Sequence, residues 1–204
     1  MSKIESIISL VNCLNESIIA AVLLLWIVST YNFFVSSKAR IKASVQEIGN
    51  QLKRQAELIP NLVESTKGYI KHEKGIFEDL TSARRAIASA VESGDVQKMA
   101  NAGAKLAAVL PAFKIAVEDN PELKASEVVT KLMEELRDTS DKVMYARRIV
   151  IDLTADYNVR RVSLPSSIIA GIFGFSELPG LITPQEGEHV EVSKEETKSP
   201  KVKL

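Results

Sequence analysis

Residues 41–90 read IKASVQEIGNQLKRQAELIPNLVESTKGYIKHEKGIFEDLTSARRAIASA, and their apolar spacing decides the fold. Apolar side chains recur in alternating steps of four and three: Ile41, Val45, Ile48, Leu52, Ile59, Leu62, Tyr69, Ile76, Leu80, Ala83, Ile87 and Ala90. Only Gln55, Thr66 and Glu73 break the seam. A 3.5-residue period marks helices that pack along a narrow stripe, and it excludes strands. The three polar seam residues admit two readings. They fix register or partner choice at some cost in stability, or the stripe drifts and leaves them partly exposed.

Pro60 sets the number of passes. An unbroken helix from 36 to 92 would run about 85 Å at 1.5 Å per residue, longer than the following helix can cover. Proline inside a helix removes a hydrogen bond and clashes one turn back, whereas at a helix start it fits. A break near Ile59 then predicts four helices, at 36–58, 61–92, 96–118 and 123–162, in an antiparallel up-and-down bundle. The seam keeps its phase across Pro60, so the alternative is a three-helix bundle with one long helix kinked at Pro60.

Toward the C-terminus, Ser93-Gly94-Asp95 supplies a glycine stop and an aspartate N-cap. Val96, Met99, Leu106, Leu110, Phe113 and Val117 make a second seam with Pro111 inside it, where a kink is expected. Asp119-Asn120-Pro121 closes that helix. A third seam runs from Val129 to Tyr157. Residues 163–178 include the apolar run LPSSIIAGIFGF, which is too short to span a bilayer. It is expected to pack on the bundle or the membrane face, with Gly171 and Gly174 permitting close backbone approach. Residues 179–204 turn polar and charged and are expected to be disordered.

Toward the N-terminus, residues 18–35 read IIAAVLLLWIVSTYNFFV, without a charge. Eleven of these are Ile, Val, Leu or Phe, and at about 0.3–0.6 kcal/mol each they favour insertion by roughly 3–7 kcal/mol. A transmembrane helix over 17–35 follows, after a short extracytoplasmic segment at 1–16. A cleaved secretory signal would want a basic start and small residues before the cut. Here only Lys3 is basic, and Val35 and Ser37 make a weak site. Lys38, Arg40, Lys42, Lys53 and Arg54 follow the span while Lys3 alone precedes it, which places the C-terminal domain in the cytoplasm and the N-terminus outside. Trp26 falls in mid-span, where packing against lipid is expected.

Acidic and basic residues balance at 26 each, so no global charge argues for nucleic acid. Cys13, the one cysteine, allows no intrachain disulfide. His72-Glu73 opens like H-E-x-x-H, but position 76 is Ile. His189 stands alone in the tail. Glu64, Glu73, Glu78 and Asp79 would need Glu-x-x-His on two helices to build a di-metal centre. No Walker or G-x-S-x-G pattern is present. No catalytic, cofactor-binding or metal residue is expected. The basic pairs Lys53-Arg54, Arg84-Arg85 and Arg147-Arg148 form a candidate docking face for anionic lipid or an acidic partner, against the plainer reading of solvated surface charges.

The stretch QLKRQAELIPNLVESTKGYIKHEKGIFEDLTSARRAI at 51–87 closely resembles the hallmark of the LemA family. The positions that carry the likeness are Leu52, Arg54, Pro60, Asn61, Leu62, Val63, Gly68, Tyr69, His72, Glu73, Ala83 and Arg84. Tyr31-Asn32 at the membrane exit matches too, as do Thr139, Ala146-Arg147-Arg148, Tyr157-Asn158 and the run Pro165, Gly171, Phe175. The resemblance covers residues 18–175. Val45, Gly49-Asn50 and Val150-Ile151 depart from the family pattern.

What the resemblance implies is a single-pass, bacterial-type inner-membrane protein with a cytoplasmic helical bundle and no established chemistry. Proteins related to magnetosome membrane biogenesis look similar, and some members are encoded beside membrane metalloproteases. The expected function is a non-enzymatic scaffold that organises or recruits membrane proteins, with self-association as one route. The alternative is an adaptor or regulator of a membrane-bound metalloprotease. The partners expected are the lipid bilayer and other membrane proteins, with no cofactor and no nucleic acid.

Overall fold

A computed structural model describes residues 2–70 and 74–182. It is all-helical, with no strand among the described residues: α1 (Ser2–Thr66), α2 (Lys74–Ser93), α3 (Val96–Glu118), α4 (Pro121–Lys124), α5 (Glu127–Val162) and α6 (Ser166–Ile172). Of the tail expected to be disordered over 179–204, the described part is held on the bundle, since Leu181 is buried in the core and the Ile182 N–H donates to Gln97 Oε1 at 2.9 Å. The rest of that tail and the roles of His72, Glu73 and His189 lie outside the described residues.

The expected break at Ile59 does not occur. α1 runs through Pro60 and ends at Thr66, and the chain turns at 67–69. Neither a helix start at 61 nor one long helix to 92 describes the chain. The reason is a substitute donor. Pro60 has no N–H to give to the Ala56 carbonyl one turn back, and the Arg84 Nε of α2 donates to that oxygen at 3.2 Å instead. Pro60 itself is exposed, so its ring lies off the packed seam. α3 likewise runs unbroken through Pro111.

Side-chain pairings give the helix directions. Arg84 beside Ala56 sets α2 against α1. Lys105 Nζ donates to Ser82 Oγ at 2.8 Å and Phe77 meets Phe113, so α3 runs opposite to α2. Gln55 pairs with Ser140 and Phe34 with Tyr157, so α5 runs opposite to α1. The shared core draws Ile48, Leu52, Ile59 and Leu62 from α1, with Leu80, Ile87, Leu106, Phe113, Leu136 and Val150 from the other helices.

Local signals act as expected at the α2–α3 turn. Gly94 takes φ +67°, the left-handed stop that glycine allows without a Cβ penalty. Asp95 caps α3 by accepting from the N–H groups of Gln97 (2.8 Å) and Lys98 (3.0 Å). After α3, Asn120 caps the short α4 and Ser126 caps α5, so the last expected helix is two pieces rather than one from 123.

Gln55 and Thr66 are buried, at 2% and 0% exposure, which rules out the drifting-stripe reading for these two. Gln55 Nε2 donates to Ser140 Oγ at 2.8 Å, and that hydroxyl donates to the Leu136 carbonyl. Thr66 Oγ1 donates to the Leu62 carbonyl at 2.8 Å. A buried amide satisfied at one place across two helices disfavours any slip of α5 along α1.

Candidate functional site

The aromatic residues collect where α1 leaves its apolar half. Phe34 is fully buried and stacks on Phe175 (4.8 Å between centroids), with Tyr157 edge-on at 5.3 Å. Tyr31 meets Phe173 at 4.9 Å and Phe175 at 5.7 Å. Ala170 of α6 completes the cluster, with Phe33 and Leu178 packed against it. Cations flank it: Arg160 lies 4.1 Å over the Phe33 ring and Lys38 lies 5.5 Å over Phe175.

Tyr157-Asn158 fastens the chain after α6 onto α5. The Tyr157 hydroxyl donates to the Ser176 carbonyl at 3.0 Å. Asn158 Nδ2 donates to the Leu178 carbonyl at 2.8 Å, while its Oδ1 accepts from the Leu178 N–H at 3.0 Å. Burial raises the Tyr157 phenol above its ordinary pKa, opposed by the Arg161 guanidinium. Arg161 pairs with Glu177 at 3.1 Å. Gly174 takes φ +68°, which turns the chain out of α6. Gly171 and Gly174 have open space where a Cβ would stand, so close backbone approach is not their role. Gly103 carries that role instead, since a Cβ there would lie 3.2 Å from Leu52 Cδ2. An isolated glycine in a helical pattern was the available signal.

Pro165 sits at the corner between α5 and α6, above a cleft of about 430 Å³ lined by Trp26, Thr30, Phe33, Asp156 and Arg160. Trp26 is half-buried in that cleft rather than free on the helix surface.

The six basic residues do not share one face. Lys53, Arg84 and Arg85 line a groove of about 410 Å³ between α1 and α2, together with Glu57 and Glu92. Arg54 faces α5 and pairs with Glu135 at 3.8 Å. Arg148 is exposed beside Asp152 on α5, and Arg147 is half-buried with no partner for its Nε among the described residues. Glu64, Glu78 and Asp79 are exposed, so these carboxylates do not converge inside the bundle.

Of the other positions that carry the resemblance, Leu52, Leu62 and Ala83 are fully buried and Val63 is half-buried. Asn61 is exposed, and its carbonyl accepts from Ser65 Oγ. Asn32, Gly68 and Tyr69 are exposed. Another groove, of about 530 Å³ between α3 and α5, is lined by Leu110, Val117, Val129 and Met133 with Lys114, Glu118 and Arg137 at its edges.

Among known proteins, the model of the LemA family matches residues 44–203 of this chain. No curated protein matches it.

Proposed function

The chain belongs to the LemA family, and from that premise we propose that it is a single-pass membrane-anchored, non-enzymatic scaffold that organises or recruits other membrane proteins. The bundle is the presented part: four antiparallel passes, with α1 running from the membrane straight into it. The observation that carries this reading is the first half of α1. Every described side chain from Ile7 to Leu25 is exposed, and Ile18, Ile19, Val22, Leu23, Leu24 and Leu25 are 54–69% exposed. Successive side chains turn about 100° around a helix, so these six point in all directions. A helix apolar all round and packed on nothing suits a lipid environment.

α3 is also apolar and long enough to cross a membrane, but its Met99, Leu106 and Phe113 are buried in the shared core. It therefore serves as a bundle helix. The cations after residue 37 support a cytoplasmic bundle and an external N-terminus in an inner membrane. The scarcity of histidine and cysteine supports a role without catalysis.

The test is extraction in mild detergent from carbonate-washed membranes, with mass spectrometry of what co-purifies, beside a Lys53→Ala/Arg85→Ala variant. Several membrane proteins, reduced in the variant, are the expected outcome. Release of the chain by carbonate would refute the anchor. A single stoichiometric metalloprotease would replace the scaffold by the adaptor reading.

A further inference from the structure

The α5–α6 corner stands at a height on α1 that its surface alone does not explain. Glu16 is the last charge before the apolar run and Lys38 the first after it. Between them the helix rises about 33 Å, just over the roughly 30 Å of a bilayer's hydrocarbon core. Phe173 packs on Tyr31, seven residues before Lys38, or about 10 Å higher along the axis. Leu164 lines the cleft beside Thr30, higher still. A core bounded by Glu16 and Lys38 therefore includes the corner.

That corner carries the surface such a place requires. Ile168 and Ile172, one turn apart on α6, form an outward stripe and are 57% and 71% exposed, and Leu164 in the turn before the helix is 81% exposed. Val159, Val162 and Phe173 extend it, also half or more exposed. This apolar surface is continuous with the bare half of α1. Part of the corner's polar backbone is bonded from within: Ser166 Oγ donates to the carbonyls of Arg160 (2.7 Å) and Ser163 (3.0 Å), the Ser167 N–H to that of Ser163 (2.8 Å) and the Ile168 N–H to that of Pro165 (3.2 Å). Lys38 and Arg40 stand at the cytoplasmic end of that core, at the height of lipid phosphates, and Arg161 pairs with Glu177. Arg160, over the Phe33 ring about 7 Å higher, shares with Asp156 the cleft that Leu164 lines.

We propose that the α5–α6 corner is embedded in the cytoplasmic leaflet beside α1, with Leu164, Ile168, Ile172 and Phe173 among the acyl chains and the flanking cations at anionic headgroups. The bundle is thus held at two points rather than swung from one helix, and the Tyr157-Asn158 clasp keeps the second point in place. This rests on α1 crossing the bilayer as proposed above.

Trp26 is the one native tryptophan, which makes the test direct. The full chain is reconstituted in phosphatidylethanolamine–phosphatidylglycerol vesicles containing acyl-brominated lipid. Wild-type emission is compared with that of Leu164→Trp and Ile172→Trp in a Trp26→Phe background, with Tyr145→Trp, exposed on the bundle flank, as the control. A tryptophan 5–10 Å deep should lose about half its emission or more, while the control is unchanged. Quenching of Trp26 but of neither corner variant would overturn the proposal and leave the span standing. If the unquenched corner variants were also shielded from aqueous acrylamide, protein rather than lipid covers the stripe, and the proposal falls equally. An unquenched Trp26 would overturn the span itself. The two corner positions are highly exposed, so either variant reports if the other fails to fold.

Discussion

Arg84 is predicted to stabilise the chain chiefly because Pro60 is a proline. The Ala56 carbonyl has lost its donor one turn ahead, and the Arg84 Nε at 3.2 Å replaces it. A net hydrogen bond from a charged donor is worth about 1.5–3 kcal/mol when well enclosed. Arg84 is exposed and water can take over part of the task, so Arg84→Ala should cost about 1 kcal/mol plus a few tenths for its packed stem. Pro60→Ala restores the N–H and relieves the ring's crowding of the preceding turn. An interior proline costs about 3 kcal/mol before any relief, but also stiffens the unfolded chain, so a gain of about 1–2 kcal/mol is expected. In the Pro60→Ala background, Arg84→Ala should cost only its packing, leaving a coupling of about 1 kcal/mol. Urea unfolding of the full chain in mild detergent, followed by helical circular dichroism for the four members of the cycle, measures it. Equal costs of Arg84→Ala in both backgrounds would refute the reasoning. Because α1 already passes through Pro60, small-angle scattering should show no change in overall size for Pro60→Ala.

Single residues carry the further outcomes. Asn158→Ala removes both bonds to Leu178 and should cost about 1–3 kcal/mol, seen first as faster hydrogen exchange of residues 176–182; unchanged exchange there would count against the clasp. Gln55→Ala leaves a cavity and breaks the bond to Ser140, with an expected loss of about 2 kcal/mol, whereas Ser140→Ala should cost less, and equal losses in urea midpoint would show that the amide is not the dominant partner. Gly94→Ala places a Cβ on a residue at φ +67° and should cost about 1–2 kcal/mol. Gly103→Ala gains helix propensity of about 1 kcal/mol while pressing on Leu52, so its unfolding midpoint should move far less than that of Gly94→Ala.

Helix class, apolar span and local stops were legible along the chain, because each depends on neighbours within a few residues. The seam from Ile41 to Ala90 announces packed helices, Gly94-Asp95 announces the turn, and α3 begins and ends at the expected residues. The site was less legible. Tyr157 closed the third seam, but Asn158 and Phe175 stood out only through a resemblance, and nothing in the spacing says that Tyr157 and Phe175 meet Phe34 across more than a hundred residues. The basic pairs looked alike in sequence, yet Arg84 is engaged with a backbone carbonyl while Lys53 and Arg85 face a groove.

Sequence alone therefore determined that this chain is helical, that one end of α1 is apolar and uncharged from residue 17 to 37, and where α3 starts and stops. Those properties arise from hydrophobic periodicity and from capping within a single turn. Only the tertiary structure decided what Pro60 does, since a side chain from α2 supplies the donor that the proline lacks. It also decided that Gln55 is a buried cross-link and that the α5–α6 corner reaches the height of Tyr31. Each of these depends on which helix lies opposite at which register, a relation between distant residues that no local pattern records.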